Sequence, residues 1–214
     1  IGPNGAGKTT CLRLITTVMR PDRGRILVDG LDAARDAIGV RRRLGVLADA
    51  RGLYPRLSAR EHIRYFGQLH GLAGQELETR IDALIVQLDM KEFADRRAKG
   101  FSKGQAMKVA LARALVHEPH NLLLDEPTNG LDLQAARAMR ELIGELKAQG
   151  RCILFSSHIM SEVAALSDRL VILAKGRVAA QGTLGELAAR TGRDSIEEIF
   201  LALTGEPQDA EAAP

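Results

Sequence analysis

Ten residues at the start of the chain, Ile1-Gly2-Pro3-Asn4-Gly5-Ala6-Gly7-Lys8-Thr9-Thr10, constrain its fold more than any other stretch. They match the phosphate-binding pattern G-x-x-x-x-G-K-[ST], with Gly2, Gly7, Lys8 and Thr9 at the fixed places. Glycines let successive backbone N–H groups turn toward phosphate oxygens, Lys8 adds a point charge that reaches the outer phosphates, and the Thr9 hydroxyl is a ligand for Mg²⁺. Behind the loop, Cys11, Leu12, Leu14, Ile15, Val18 and Met19 recur at helical spacing as far as Pro21. The loop is therefore predicted to open into a helix whose positive N-terminal end faces the anion. Such a loop follows a buried parallel strand, and only Ile1 precedes it here. The expectation is that the opening strands of the gene product are missing from this chain.

The 214 residues, 45% hydrophobic and 27% charged, are enough for one substantial core with a small subsidiary subdomain. No stretch approaches the roughly 18 to 20 apolar residues of a membrane span, and no signal sequence opens the chain, so a soluble cytosolic protein is expected. Two cysteines, Cys11 and Cys152, exclude a disulfide framework and a zinc cluster, and both are expected to be inert residues in or near the core. The net charge of +3 is spread along the chain apart from Arg41-Arg42-Arg43, which reads as a solvated helix end. With 3% aromatic residues and no Trp, few stacking platforms exist for nucleic acid, which argues against that partner class.

Along the chain, Arg25–Val28 reads as a short strand and Asp29-Gly30 as a hairpin turn, followed by a helix over about 32–38 and a strand over Arg43–Leu47. From about Leu57 to Gly100 the pattern becomes helical. Ser58 and Glu61 have capping-box spacing ahead of Ile63, Phe66 and Leu69, and Leu77, Ile81, Leu84, Ile85 and Leu88 give a second apolar face. This insert reads either as a helical cap on the core or as a docking surface. Ser102 can cap a helix that runs to about His117, Asn121–Asp125 reads as a buried parallel strand, and a helix from Leu133 ends at Gly150. A strand over Cys152–Phe155, a helix over Ile159–Leu166, a hairpin through Lys175-Gly176 and two helices opened by Thr183 and Ser195 complete the chain. The tail at 206–214 is expected to be disordered.

An apolar strand that ends in Asp125 places a carboxylate at the carboxyl edge of the sheet, where it can hold Mg²⁺ beside Thr9. Glu126 follows at once. Two adjacent acids, one for the metal and one to orient and deprotonate water, suit hydrolysis better than transfer to a bound acceptor. His158, just past the strand over 152–155, can reach the terminal phosphate from the same sheet edge, although a lone histidine reads equally well as structural.

Together these motifs resemble the nucleotide-binding subunits of ATP-binding-cassette transporters. The chain carries that family's phosphate loop at 2–10, a signature motif as Phe101-Ser102-Lys103-Gly104-Gln105, Walker B and D-loop segments at 122–132, and a switch histidine at His158. The resemblance implies an α/β P-loop NTPase with a RecA-like parallel sheet core and an inserted helical subdomain at about 57–117, within one nucleotide-binding domain over 1–205. It implies ATP and Mg²⁺ as cofactors, with Gly2, Pro3, Asn4, Gly5, Ala6, Gly7, Lys8, Thr9 and Thr10 on the nucleotide. It also implies two subunits paired head to tail, identical or not, so that Ser102, Gly104 and Gln105 of one close over ATP held by the other while Asp132 lies across the seam. Glu126 and His158 would be catalytic, and Thr9, Asp125 and Asp49 would serve the metal.

Three positions depart from the family pattern: its adenine-stacking aromatic falls upstream of Ile1, Asp49 stands where a glutamine is usual, and Lys103 replaces a glycine. The stretches at 49–55 and 101–105 look most like the NatA-type branch, which exports sodium through separate membrane subunits. The resulting expectation is an ATP-hydrolysing subunit at the cytoplasmic face of the membrane, bound to an integral membrane permease, with no nucleic-acid partner. The rival reading is a soluble cassette ATPase acting on DNA or ribosomes, a group that usually inserts a long coiled coil or carries two cassettes in one chain.

Overall fold

In the computed structural model, whose described residues are 1–48 and 52–205, the loop helix α1 (Lys8–Ile15) stops well short of Pro21. Thr17 adopts φ +61°, its N–H bonds to the Leu14 carbonyl at 3.2 Å, and the Val18 N–H reaches back to Arg13 at 2.9 Å. This pair of bonds is the closure of a left-handed C-terminal cap, so the backbone ends the helix before the proline does. Leu12 is consequently the buried residue of α1, while Val18 and Met19, expected on its apolar face, are exposed. Arg41 secures this end, its guanidinium donating to Thr17 Oγ1 at 2.7 Å and to Thr17 O at 3.2 Å.

Strands β1 (Leu27–Val28) and β2 (Leu31–Asp32) pair antiparallel around Asp29-Gly30, whose φ values of +47° and +79° are those of the mirror-image turn that matches strand twist. The helix expected from Asp32 starts later, as α2 (Ala37–Arg43), because the Asp32 carboxylate accepts from Ala34 N–H at 2.9 Å and holds a local turn. Asp36 then caps α2 through Gly39 N–H, and Arg41, Arg42 and Arg43 form its exposed last turn, as expected.

Strand β3 (Leu44–Leu47) leads to three helices, α3 (Ala59–Leu69), α4 (Gly74–Gln87) and α5 (Lys103–Leu115). The capping box of Ser58 with Glu61 forms, and α4 buries Leu77, Ile81, Leu84 and Ile85 as its spacing predicts. On α3 the buried face is Ala59, His62, Ile63 and Gly67, and Leu69 is exposed. The shift in face has a steric cause: Gly67 admits Leu77, whose Cδ1 would overlap any Cβ there. His62 enters the core because both ring nitrogens are satisfied, Nδ1 by Ser58 O at 2.7 Å and Nε2 by Tyr54 N–H at 2.8 Å.

Strand β4 (Asn121–Asp125) pairs in parallel with β3, Leu44 opposite Asn121 through Leu47 opposite Leu124. After α6 (Leu133–Ala148), strand β5 (Cys152–Ser156) completes a sheet of order β3-β4-β5. Then come α7 (Met160–Leu166), an antiparallel hairpin of β6 (Leu170–Ala174) and β7 (Arg177–Gly182) turning at Lys175-Gly176, and α8 (Leu184–Thr191) and α9 (Ile196–Thr204). The chain divides into two units, one built from Ile1–Leu12 with the residues from Ser156 onward, the other from Arg13–Phe155. Ile172, Leu187 and Phe200 centre the first; Ile63, Leu111, Leu122, Leu124 and Ile143 centre the second. Both cysteines are exposed, contrary to expectation. Cys11 adjoins the buried Leu12 on α1 and so lies about 100° round the helix from it, and Cys152 occupies an outward position at the start of β5. Asp49 and the tail after Gly205 lie outside the described residues.

At the junction of the helical insert with β3, His70 and His117 stack with ring centroids 3.5 Å apart and planes 7° apart. His117 Nε2 faces Leu44 O at 3.1 Å, and its Nδ1 is buried without a hydrogen-bond partner. Burial, with His70, Arg151 and Arg80 adding to it, pushes the His117 pKa from 6.5 down to about 4. Between those values the unfolded chain binds the extra proton, so the contribution of His117 to stability is fully present above the unfolded value and is lost as pH falls through the folded one. Urea midpoints are expected to fall on acidification across this window, and His117→Phe, which keeps the stack, is expected to flatten the slope; an unchanged slope would assign it to other groups.

Candidate active site

The phosphate loop is anchored on β6. The Ile1 amine donates to Val171 O at 2.7 Å, and Leu173 N–H donates to Ile1 O at 2.8 Å. Gly2 is buried, and a Cβ there would lie 2.5 Å from the Leu173 carbonyl oxygen, so no side chain fits. Ala6 N–H closes on Pro3 O at 3.1 Å, and Gly7, at φ +104°, swings the backbone into α1. Lys8 Nζ donates to Gly2 O at 2.7 Å and to Pro3 O at 3.3 Å, which holds the ammonium over the loop's own backbone. Asn4, Gly5 and Thr10 are exposed, and Thr9 is partly buried in the first turn of α1. In the same unit His158 is exposed, between the buried Ser157 and the N-cap residue of α7, Ile159.

In the other unit β4 ends in the buried Asp125, and Glu126 follows at φ +49°. A left-handed backbone is uncommon for a side chain of this size and persists where surrounding structure enforces it. Two tight turns follow it: Asn129 N–H bonds to Glu126 O and Leu131 N–H to Thr128 O, each at 3.1 Å. They deliver the chain to Asp132, whose carboxylate caps α6 by accepting from Ala135 N–H at 2.8 Å.

Ser102 caps α5 as expected. Its Oγ accepts from Gln105 N–H and the Gln105 side-chain oxygen accepts from Ser102 N–H, both at 3.1 Å. Gln105 is thereby committed to the cap, a role its spacing from Ser102 offered and the sequence reading passed over. At Gly104 a Cβ would sit 3.6 Å from Ala135 Cβ, so the starts of α5 and α6 adjoin. Lys103, the departure from the family pattern, lays its side chain along Gly130. One unit thus holds Gly2–Thr10 and His158; the other holds Ser102, Gly104, Gln105, Asp125, Glu126 and Asp132. A further pair beside His158, Ser157 and Glu162, escaped sequence reading because an acid in the first turn of a helix is common everywhere.

Comparison with known proteins agrees with these motifs. A family model described as ABC transporter matches residues 1–129. The ABC transporter ATP-binding protein NatA of Bacillus subtilis (strain 168) is 44% identical over 203 residues, covering 94% of this chain and 82% of NatA. The chain belongs to the ATP-binding family of ABC transporters. The daunorubicin resistance ATP-binding protein DrrA3 of Streptomyces coeruleorubidus is 38% identical over 94% of this chain, which spans 63% of that protein. The structure of an ATP-binding subunit of an ABC transporter superposes with TM-score 0.87 at 35% identity, covering 95% of this chain and 85% of its own. A dimeric ATP-binding cassette with ADP and Pi shares the fold, with TM-score 0.77 at 24% identity. As an ABC ATP-binding subunit the chain binds and hydrolyses ATP, and among the described residues no helix is long and apolar enough to cross a membrane.

Proposed function

We propose that two copies, or this chain and a paired ABC subunit, close head to tail over ATP and drive export through an integral membrane permease at the cytoplasmic face of the membrane. The observation that carries this reading is Glu126, held at φ +49° directly after the buried Asp125 at the end of β4. Water attacks the terminal phosphorus in line, its proton passes to the Glu126 carboxylate, and ADP leaves. Lys8, the backbone N–H groups of residues 4–10 and, from the opposite subunit, Ser102 with Gly104 at the N-terminus of α5 offset the phosphoryl charge, and His158 meets the γ phosphate. Gln105 fixes the cap that presents Ser102, and Asp132 ties the seam.

The donor set suits Mg²⁺, a hard cation that takes one or two protein oxygens plus phosphates and needs no protein cage. Among the described residues no group of three or more acids, histidines and cysteines could hold a metal; by the family pattern the hydroxyl of Thr9 and the carboxylate of Asp125 would hold Mg²⁺. When bound, Mg²⁺ neutralises charge on the outer phosphates; Asp49 is placed beside it by the family pattern alone. Residues 1–205 act as one nucleotide-binding domain with a helical subdomain at 57–117.

Sodium is the cargo that the NatA-type pattern suggests. The permease docks on the helical subdomain and the stretch from Asp49 to Tyr54 ahead of it; Tyr54 and, on the subdomain, Tyr65 are exposed and meet edge to face with ring centroids 6.0 Å apart. Aromatic side chains of this kind supply contact area at protein interfaces. A photo-crosslinker at Tyr65 in native membranes is expected to capture an integral membrane protein; capture of ribosomes or nucleic acid alone would favour the soluble cassette ATPase.

A further inference from the structure

His158 stands exposed between two buried polar residues that the reaction as described leaves unused. Ser157 is 1% exposed and Glu162, in the first turn of α7, is 3% exposed. Ser157 Oγ accepts from Ile159 N–H at 3.0 Å, a bond that spans His158, and its hydroxyl faces a Glu162 carboxylate oxygen at 3.3 Å. A serine hydroxyl has one proton. With its oxygen accepting from an amide, that proton goes to the carboxylate, and the two bonds polarise each other in one direction. Ile159, the N-cap residue of α7, makes no side-chain cap bond of its own, so the Ser157 hydroxyl two residues earlier fixes the entry to the helix. Glu162 N–H donates to Ile159 O at 3.1 Å, which closes the same turn from the other side.

A buried carboxylate is costly unless it is hydrogen-bonded, and packing alone would be served better by an apolar side chain. We propose that Ser157 and Glu162 are positioning residues that hold the backbone of His158, so that its imidazole meets the terminal phosphate without a search over loop conformations. This rests on the reading of His158 as the residue that contacts the γ phosphate.

The test compares steady-state ATP hydrolysis by Ser157→Ala, Glu162→Gln, His158→Ala and the two doubles that combine His158→Ala with each of the others, in the full chain with a melting curve for each. Ser157→Ala is expected to lower kcat about tenfold to a hundredfold with KM for ATP little changed, the scale of loss that follows from misplacing a reacting group. Glu162→Gln, whose amide oxygen still accepts, is expected to lose less. On the His158→Ala background neither should slow turnover further. If His158→Ala impairs turnover while both other single variants run at the parent rate, the positioning role is overturned and the reading of His158 stands. If His158→Ala runs at the parent rate, that reading falls and the proposal with it. Equal losses with and without His158 would show that the two bonds act through the fold, which also overturns the proposal. Should Ser157→Ala fail to fold, the Glu162→Gln pair carries the same comparison.

Discussion

Glu126→Gln is expected to keep ATP binding while lowering steady-state hydrolysis by about 10²- to 10⁴-fold, the range a general base contributes. Glutamine matches glutamate in size and carries the same strain at φ +49°, so the substitution isolates the loss of the basic oxygen from any change in the turn. The residues proposed to contact the phosphates, 2–10 with Lys8 among them, are untouched. ATP then binds without being consumed, and the closed dimer accumulates, visible as a shift in size-exclusion chromatography when ATP is present. A variant that hydrolyses ATP at the parent rate would take the base role from Glu126 and direct attention to another acceptor for the water proton.

The second large effect concerns head-to-tail pairing. Lys8→Ala and Ser102→Glu are each expected to abolish turnover as homodimers, the first by removing the charge on the outer phosphates, the second by placing an anion where α5 meets one. Mixed together, they are expected to recover activity. In a head-to-tail dimer a subunit lacking Lys8 and a partner altered at Ser102 put both defects in the same composite site and leave the other site intact. Random mixing with two-fold symmetric pairing returns about a quarter of the parent sites. If each subunit enclosed its own nucleotide, every site in the mixture would carry a defect and no activity would return.

Much of the fold was legible because local rules agree with the tertiary outcome. The face of α4 followed its 3.6-residue spacing, the capping residues Ser58, Ser102 and Thr183 sit where their spacing put them, and Asp29-Gly30 and Lys175-Gly176 turn as hairpins. Errors arose where two local signals competed. The periodicity through Met19 lost to a left-handed cap at Thr17, and a helical pattern from Asp32 lost to that residue's own side-chain bond. The exposure of Cys11 and Cys152 was not readable, since a small apolar residue fits either side of a helix or an outer strand.

The site divides in the same way. The residues proposed for its chemistry were all picked out by their order in the chain: the glycines with Lys8 and Thr9, Asp125 and Glu126 at a strand end, Ser102 ahead of a helix. These follow from spacing, because backbone periodicity converts sequence separation into direction over a few residues. Tertiary structure alone decided the contacts between distant segments, Gly2 pressed against Leu173 and Gly104 against Ala135, and with them the left-handed Glu126 and the burial of the Glu162 carboxylate facing Ser157. Those depend on which elements pack together, and packing is settled by volume and by the satisfaction of buried polar groups across the whole chain, where local spacing carries no information.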